Sequence, residues 1–338
     1  MGIKSSYNRA TYFAKAAESR PGWIKEGEPY PNQFATWYGD KGIMAGGNAP
    51  AQTNVIQYTM ISGGVSTNAV DFGDLTVARG ESASASDGRR MIVAGGGSPS
   101  PVGYNDTMEY ITIATSGNGV DFGDLTENIT QWAGTGDGIY AIFSLGNKIS
   151  GENFSNIIER AVVATPGNSI DFGNLTVDRA GGACAGNGHR AVWAGGYNNT
   201  APATKNTLDY VVVQTTGDAT DFGDLNYSAY NMTGTGAETR GLYAGGRSAA
   251  SATWYNTIDY ITTAATGNAT DFGDLTEQKD GPPAASNNGT RACFYGGSKS
   301  PAKKDTIEYV TIATTGNGTD VGDLLAANSG LTSSSGDP

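Results

Sequence analysis

The feature that most constrains this chain is a motif that returns on a fixed period. Asp-Phe-Gly-Asp-Leu begins at Asp71, Asp121, Asp221 and Asp271, while Asp171 opens a variant with Asn174 and Asp320 one with Val321. The steps are 50, 50, 50, 50 and 49 residues. A Gly-Gly pair after a short apolar run begins at Gly46, Gly95, Gly195, Gly245 and Gly296, and the third copy has degenerated to Leu145-Gly146. Segments of the type Asn-Thr-Ile-Asp-Tyr begin at Asn54, Asp106, Asn156, Asn206, Asn256 and Asp305. Three markers in constant order define six units. A chain of this kind folds as a repeat architecture in which each unit completes its core against its neighbours.

Inside a unit the pattern is β. In the second unit, residues 90–94 and 107–113 are short runs rich in β-branched and apolar side chains, bounded by Gly, Asn, Asp and Ser. A small-residue stretch, 81–86, precedes the turn Asp87-Gly88, and a second turn leads into 121–125. The unit therefore has four strands: a (81–86), b (90–94), c (107–113) and d (121–125). Only residues 7–19 carry a weak helical pattern. Six units of about 50 residues and four strands predict an all-β fold, a six-bladed β-propeller, because a lone four-stranded blade cannot bury both faces and a ring of blades can. The predicted divisions are an arm at 1–31, the propeller at 32–324, and a tail or ring-closing strand at 325–338. Residues 32–36 and 329–336 both resemble strand a. The N-terminal segment is the favoured occupant of that slot in blade one, because a hairpin closes a short loop.

Composition excludes several classes. Charged residues are only 16% of the chain, which argues against a coiled coil. No apolar run approaches the roughly 20 residues of a membrane span, so no membrane insertion is expected. The first 25 residues hold no apolar core of a secretory leader. A net charge of −12 opposes nucleic-acid binding. A single histidine, His189, and two cysteines, Cys184 and Cys293, predict no metal, no cofactor and no disulfide framework. His189 reads as a solvated turn residue and the cysteines as small buried ones.

The repeat also resembles the kelch family. Leu75-Thr-Val-Ala-Arg79, then Arg90-Met-Ile-Val-Ala-Gly95-Gly96, then Met108-Glu-Tyr110, then Phe122 follow the order of a kelch unit, with Phe (Val321 in the last copy) where kelch repeats usually have Trp. The resemblance covers about residues 33–324. The composite wording Ile-Asp-Tyr-Ile-Thr-Ile-Ala-Thr-Thr-Gly-Asn of the units, met as Ile307-Glu-Tyr-Val-Thr-Ile-Ala-Thr-Thr-Gly-Asn317 in the sixth, is similar to kelch-like repeats of tailed, especially marine, bacteriophages. That resemblance implies a virion location and a structural role on a tail, fibre or capsid surface. It is poor evidence for a particular activity, since such propellers host many functions.

Comparing the units with each other predicts contacts. A basic residue opens strand b (Lys41, Arg90, Arg190, Arg240, Arg291) and a tyrosine sits in strand c (Tyr58, Tyr110, Tyr210, Tyr260, Tyr309). The third unit exchanges the two, as Tyr140 and Arg160. Either a guanidinium stacks on a phenol ring in each blade, or the third unit has drifted. The acids before the tyrosine, Glu109, Glu159, Asp209, Asp259 and Glu308, are expected on the opposite strand face, as solvent-side residues or partners of a neighbouring blade, and Gln57 replaces them in the first unit.

No catalytic constellation emerges. Asp-Phe-Gly recurs with Leu after the second Asp and without a catalytic loop, so the kinase reading fails. Its structural reading has the first Asp capping turn N–H groups, Phe filling the blade interface and Gly taking a tight bend. Asp-x-x-Asp supplies too few oxygens for calcium. The copper site of galactose oxidase needs two histidines. Met-Gly-Ile-Lys-Ser-Ser fits only loosely a myristoylation pattern.

The b–c loops are what varies between units. They hold Tyr104, Phe154, Tyr197, Trp254 and Tyr255, with Arg247, Lys303 and Lys304. In an up-and-down blade these loops share one face with the d–a connections, so they form a recognition surface or have drifted unconstrained. Tyr7, Tyr12, Phe13 and Trp23 make the arm a candidate anchor to other virion proteins. The expectation is a non-enzymatic virion structural protein that binds another virion protein or a host-surface glycan. The alternatives are a secreted or periplasmic glycan-binding or glycan-processing propeller, and a cytoplasmic kelch-type adaptor.

Overall fold

A computed structural model describes residues 39–63, 68–99, 103–130, 133–148, 154–251, 253–280 and 284–336. The described residues contain no helix and form a six-bladed propeller of antiparallel sheets. Blade two is typical, with strand a at Ala83–Ser86, b at Arg90–Ala94, c at Thr107–Thr112 and d at Val120–Asp124. The sheet order follows the chain order. Blades three, four and five repeat this plan, and blade six lengthens strand c to Ala302–Thr311 and d to Thr319–Asn328.

Strand b has both faces covered. Ile92 and Ala94 pack with Ala141 and Phe143 of blade three, while Met91 and Val93 pack with Ile43 and Ala45 of blade one. This double burial is why strand b reads as an unbroken apolar run rather than an alternating one. The apolar clusters lie between neighbouring blades, one at each junction of the ring. Each buried phenylalanine of the repeat, Phe122 for example, contributes about 1.5–3 kcal/mol to its junction.

The six a strands surround the axis, and their sequences are Ala-Ser-Ala-Ser, Ala-Gly-Thr-Gly, Ala-Cys-Ala-Gly, Thr-Gly-Thr-Gly, Ala-Ala-Ser-Asn and Thr-Ser-Ser-Ser-Gly. Space near the axis admits only such small side chains. They also bond across blades: Ser84 Oγ donates to Ser333 O at 2.9 Å, and Asn287 Nδ2 to Thr235 Oγ1 at 2.8 Å.

The ring is closed by the C-terminus. Thr332–Gly336 pairs with Lys41–Ala45 in register from Lys41↔Gly336 to Ala45↔Thr332, completing blade one with Val55–Met60 and Val70–Asp74. This corrects the preference for the N-terminal segment 32–36, which lies outside the described residues. Loop-closure cost grows only with the logarithm of length. The five blades between already bring residues 41–45 beside residues 332–336, so the hairpin's entropic advantage does not decide.

Three layers of contact join each blade to the next. On the face carrying the a–b and c–d turns, Arg240 lies over Tyr260 with Cζ 4.5 Å from the ring centroid, and its Nη1 donates to Ile312 O of blade six at 2.8 Å. The exchanged pair is also a contact, Arg160 standing 4.4 Å from the Tyr140 ring. The others are Arg90 over Tyr110 at 4.7 Å, Arg190 over Tyr210 at 4.6 Å, Arg291 over Tyr309 at 4.2 Å and Lys41 over Tyr58 at 5.3 Å. Each pair sits on a diagonal between strands b and c, since Ile92, two residues after Arg90, is directly opposite Tyr110. Where blade three lacks the cation, Gln214 of blade four bonds to Asp137 instead.

In the middle layer, the acids before the strand-c tyrosine are buried rather than solvent-side, and they reach the connection from the preceding blade. Asp209 pairs with Arg179 at 2.7 Å, Glu109 with Arg79, and Glu308 with Lys279. Gln57 accepts from Leu325 N at 2.9 Å.

At the outer layer, strand d meets the next blade's c–d turn. Gly167 N donates to Phe122 O at 2.6 Å, and Asp124 N to Asn168 Oδ1 at 3.0 Å. The glycine of Asp-Phe-Gly-Asp takes no tight bend. It lies in strand d beside a bulge, Met108 facing Gly123 and Glu109 facing Asp121, so that Phe122 is the extra residue and turns into the core. Gly123 has φ +140°, and a Cβ there would fall 2.5 Å from the Gly167 carbonyl. The leading aspartate caps its own strand in two units, Asp171 accepting from Gly173 N and Asp320 from Gly322 N. The c–d turn is tied instead by Asn118, Asn168, Asp218, Asn268 and Asn317, each accepting from the preceding blade's strand d.

Candidate binding face

The b–c loops and d–a connections pair with each other on one face: Gly80 with Gly97, Ala180 with Tyr197, Tyr230 with Arg247, and Asp280 with Ser298. Across blades three to six this face is a chain of packed aromatics and ions. Phe154 meets Tyr197 edge-on at 5.7 Å, Tyr197 meets Tyr230 at 5.4 Å, Arg247 stands 4.9 Å over Tyr230, and Arg247 Nε pairs with Asp280 at 2.9 Å. Burial pushes the Asp280 carboxyl up, and Arg247 pulls it back. Tyr255 lies 4.7 Å from Tyr227, whose buried hydroxyl donates to Thr257 O at 3.1 Å and is pushed well above the usual phenol range. Trp254 pairs by its backbone with Arg247.

The lysines are engaged too. Lys303 Nζ donates to Pro50 O at 3.1 Å, tying the blade-six loop to blade one, and Lys304 pairs with Glu277. The structure thus brings Phe154, Tyr197 and Arg247 into one cluster and puts Tyr255 in another. It leaves Tyr104 apart, in a two-residue hairpin of Gly97–Ser98 with Gly103–Tyr104. Sequence reasoning missed Tyr227, Tyr230 and Asp280. All three lie in d–a connections, which the up-and-down topology already assigns to this face. The arm residues Tyr7, Tyr12, Phe13 and Trp23 lie outside the described residues.

Blades one to three carry a different surface. Asn48, Gln52, Glu81, Tyr104, Thr130 and Asn147 surround a polar concavity of about 170 Å³. A second cavity, about 70 Å³, lies on the axis among the starts of the a strands and has room only for a few waters. Cys184 and Cys293 are buried, and burial pushes the Cys293 thiol up to about 12, so neither is a reactive thiolate. His189 is exposed in an a–b turn. Among the described residues no three His, Cys, Asp or Glu side chains are grouped to hold a metal.

No family model matches the chain, and no curated protein matches it.

Proposed function

We propose that this protein is a non-enzymatic structural component of a tailed-phage virion, and that its b–c loop face binds another virion protein or a host-surface glycan. The observation that carries the reading is the division between constant and variable parts. The contacts that join blade to blade recur around the ring, while the loops of one face differ in every unit. A rigid scaffold with variable loops gathered on one side suits recognition. The kelch-like order of Arg, Gly-Gly, Tyr and Phe, and the phage-like wording of strand c and its turn, support the virion setting. In this reading the aromatic and basic arm, residues 1–31, is the attachment segment, because aromatics and arginine are enriched at interfaces.

The test is a phage carrying the gene truncated to residues 32–338. The truncated protein is expected to stay folded, β-rich and monomeric, and to be missing from purified particles. Normal incorporation of the truncated protein would remove the anchoring role.

A further inference from the structure

We propose that the concavity between blades one, two and three is a subsite for one neutral pyranose unit of a glycan, a proposal that rests on reading this face as a recognition surface. Its origin is a missing side chain. The residue after the Gly-Gly pair is Asn48 in blade one, Gly97 in blade two and Asn147 in blade three, whereas blades four and five place Tyr197 and Arg247 there. Gly97 therefore leaves a gap flanked by two amides, and the gap is not forced by the backbone. Among the described residues a Cβ on Gly97 would meet nothing closer than Thr130 Oγ1 at 3.5 Å.

Glu81 is the second sign. It has φ +58°, and the equivalent position is left-handed in other blades as well, but there it is Gly181 (φ +67°), Asn231 (φ +56°) and Gly330 (φ +68°). The fold needs a left-handed residue at this point and elsewhere supplies one at little steric cost. A glutamate in that conformation is uncommon, and such outliers cluster at functional sites. Here it brings a carboxylate to the wall of the concavity, where Thr130 Oγ1 lies 3.3 Å from Glu81 Oε2.

The remaining wall has hydrogen-bonding capacity to offer. Among the described residues the side-chain amides of Asn48, Gln52 and Asn147 and the Tyr104 hydroxyl make no hydrogen bond. Amides donate and accept, a carboxylate accepts, and a phenol ring offers an apolar face, which is the complement of a ring bearing hydroxyls on its edge and C–H groups on its face. An anion is disfavoured by Glu81 and by the chain's net charge of −12. One carboxylate falls well short of what a calcium ion needs. The volume suits one sugar ring and is below the ~300 Å³ of sites for larger ligands.

The experiment titrates the purified full-length protein with the methyl glycosides of glucose, galactose, mannose and N-acetylglucosamine, followed by saturation-transfer NMR. At least one should bind, with a dissociation constant on the order of millimolar for so small a ligand. Gly97→Tyr, which places in blade two the residue of blade four, should fill the site and abolish the signal. Glu81→Gly should weaken binding about tenfold or more while leaving the melting temperature unchanged or higher, a combination that a merely structural glutamate would not give. Two results would overturn the proposal: no glycoside binding to the wild type, or undiminished binding by Glu81→Gly. The assay uses no particles, so its failure leaves the virion reading standing, and absence from particles would leave a positive sugar result intact.

Discussion

The acid before the strand-c tyrosine plays one geometric role in two electrostatic settings. In blades two, four and six it faces a buried cation, Arg79, Arg179 or Lys279. In blades three and five the corresponding positions are Ile129 and Ala229, and the carboxylates are held by hydroxyl, amide and backbone donors alone. Burial raises the Glu159 carboxyl, opposed by hydrogen bonds from Ser169 and Thr126. A folded-state value above the unfolded one means that the stability Glu159 contributes is full below about pH 4 and is lost as pH rises through the folded value. Glu159→Gln is therefore expected to raise stability by about 1 kcal/mol at pH 7 and to change little at pH 4, measured by urea denaturation at both. Gln57 already holds this position in blade one. Glu109→Gln should do the opposite, losing about 3–5 kcal/mol at pH 7 because Arg79 would be left buried without its partner. The Arg–Tyr contacts were legible in the sequence because the third unit exchanges both residues at once. The burial of the acids was not, since strand alternation fixes only which face a side chain takes, and in a ring both faces of the central strands are covered.

At the scale of elements, the inner strand of blade one is the seam of the ring. Thr332–Gly336 pairs with Lys41–Ala45, while Ser335 Oγ bonds to Asn287 O of blade six and Ser84 Oγ of blade two donates to Ser333 O. Removing residues 329–338 should expose the edge of strand b in blade one. The expected result is a less stable, aggregating protein, seen as a lower melting temperature together with a shift to larger species in size-exclusion chromatography. Unchanged melting and elution would show that another segment occupies the slot. The strands themselves were legible to within a residue or two, because Gly, Asn and Asp punctuate each one. Which terminus closes the ring was missed by weighing loop length alone: 329–336 is mostly Ser, Thr and Gly like the other a strands, whereas 32–36 carries Gln33 and Phe34. The bulge at Phe122 was likewise hidden. It depends on how Gly123 meets Gly167, a contact with a turn roughly one repeat further along the chain.

For the whole molecule, a ring whose junctions recur carries one face whose loops do not. The candidate site was legible only in part. Tyr197, Arg247 and the other loop residues stand out as aromatic or charged departures from the repeat. The polar concavity does not, because it depends on what Gly97 lacks between Asn48 and Asn147, and on a backbone angle at Glu81. As proposed above, this ring would be a built-in part of a phage particle. Quantitative mass spectrometry of gradient-purified virions tests it most directly. Peptides of this chain are expected at a fixed ratio to the major capsid protein, retained after high-salt washing, whereas their absence from the particles, or loss on washing, would rule the virion role out.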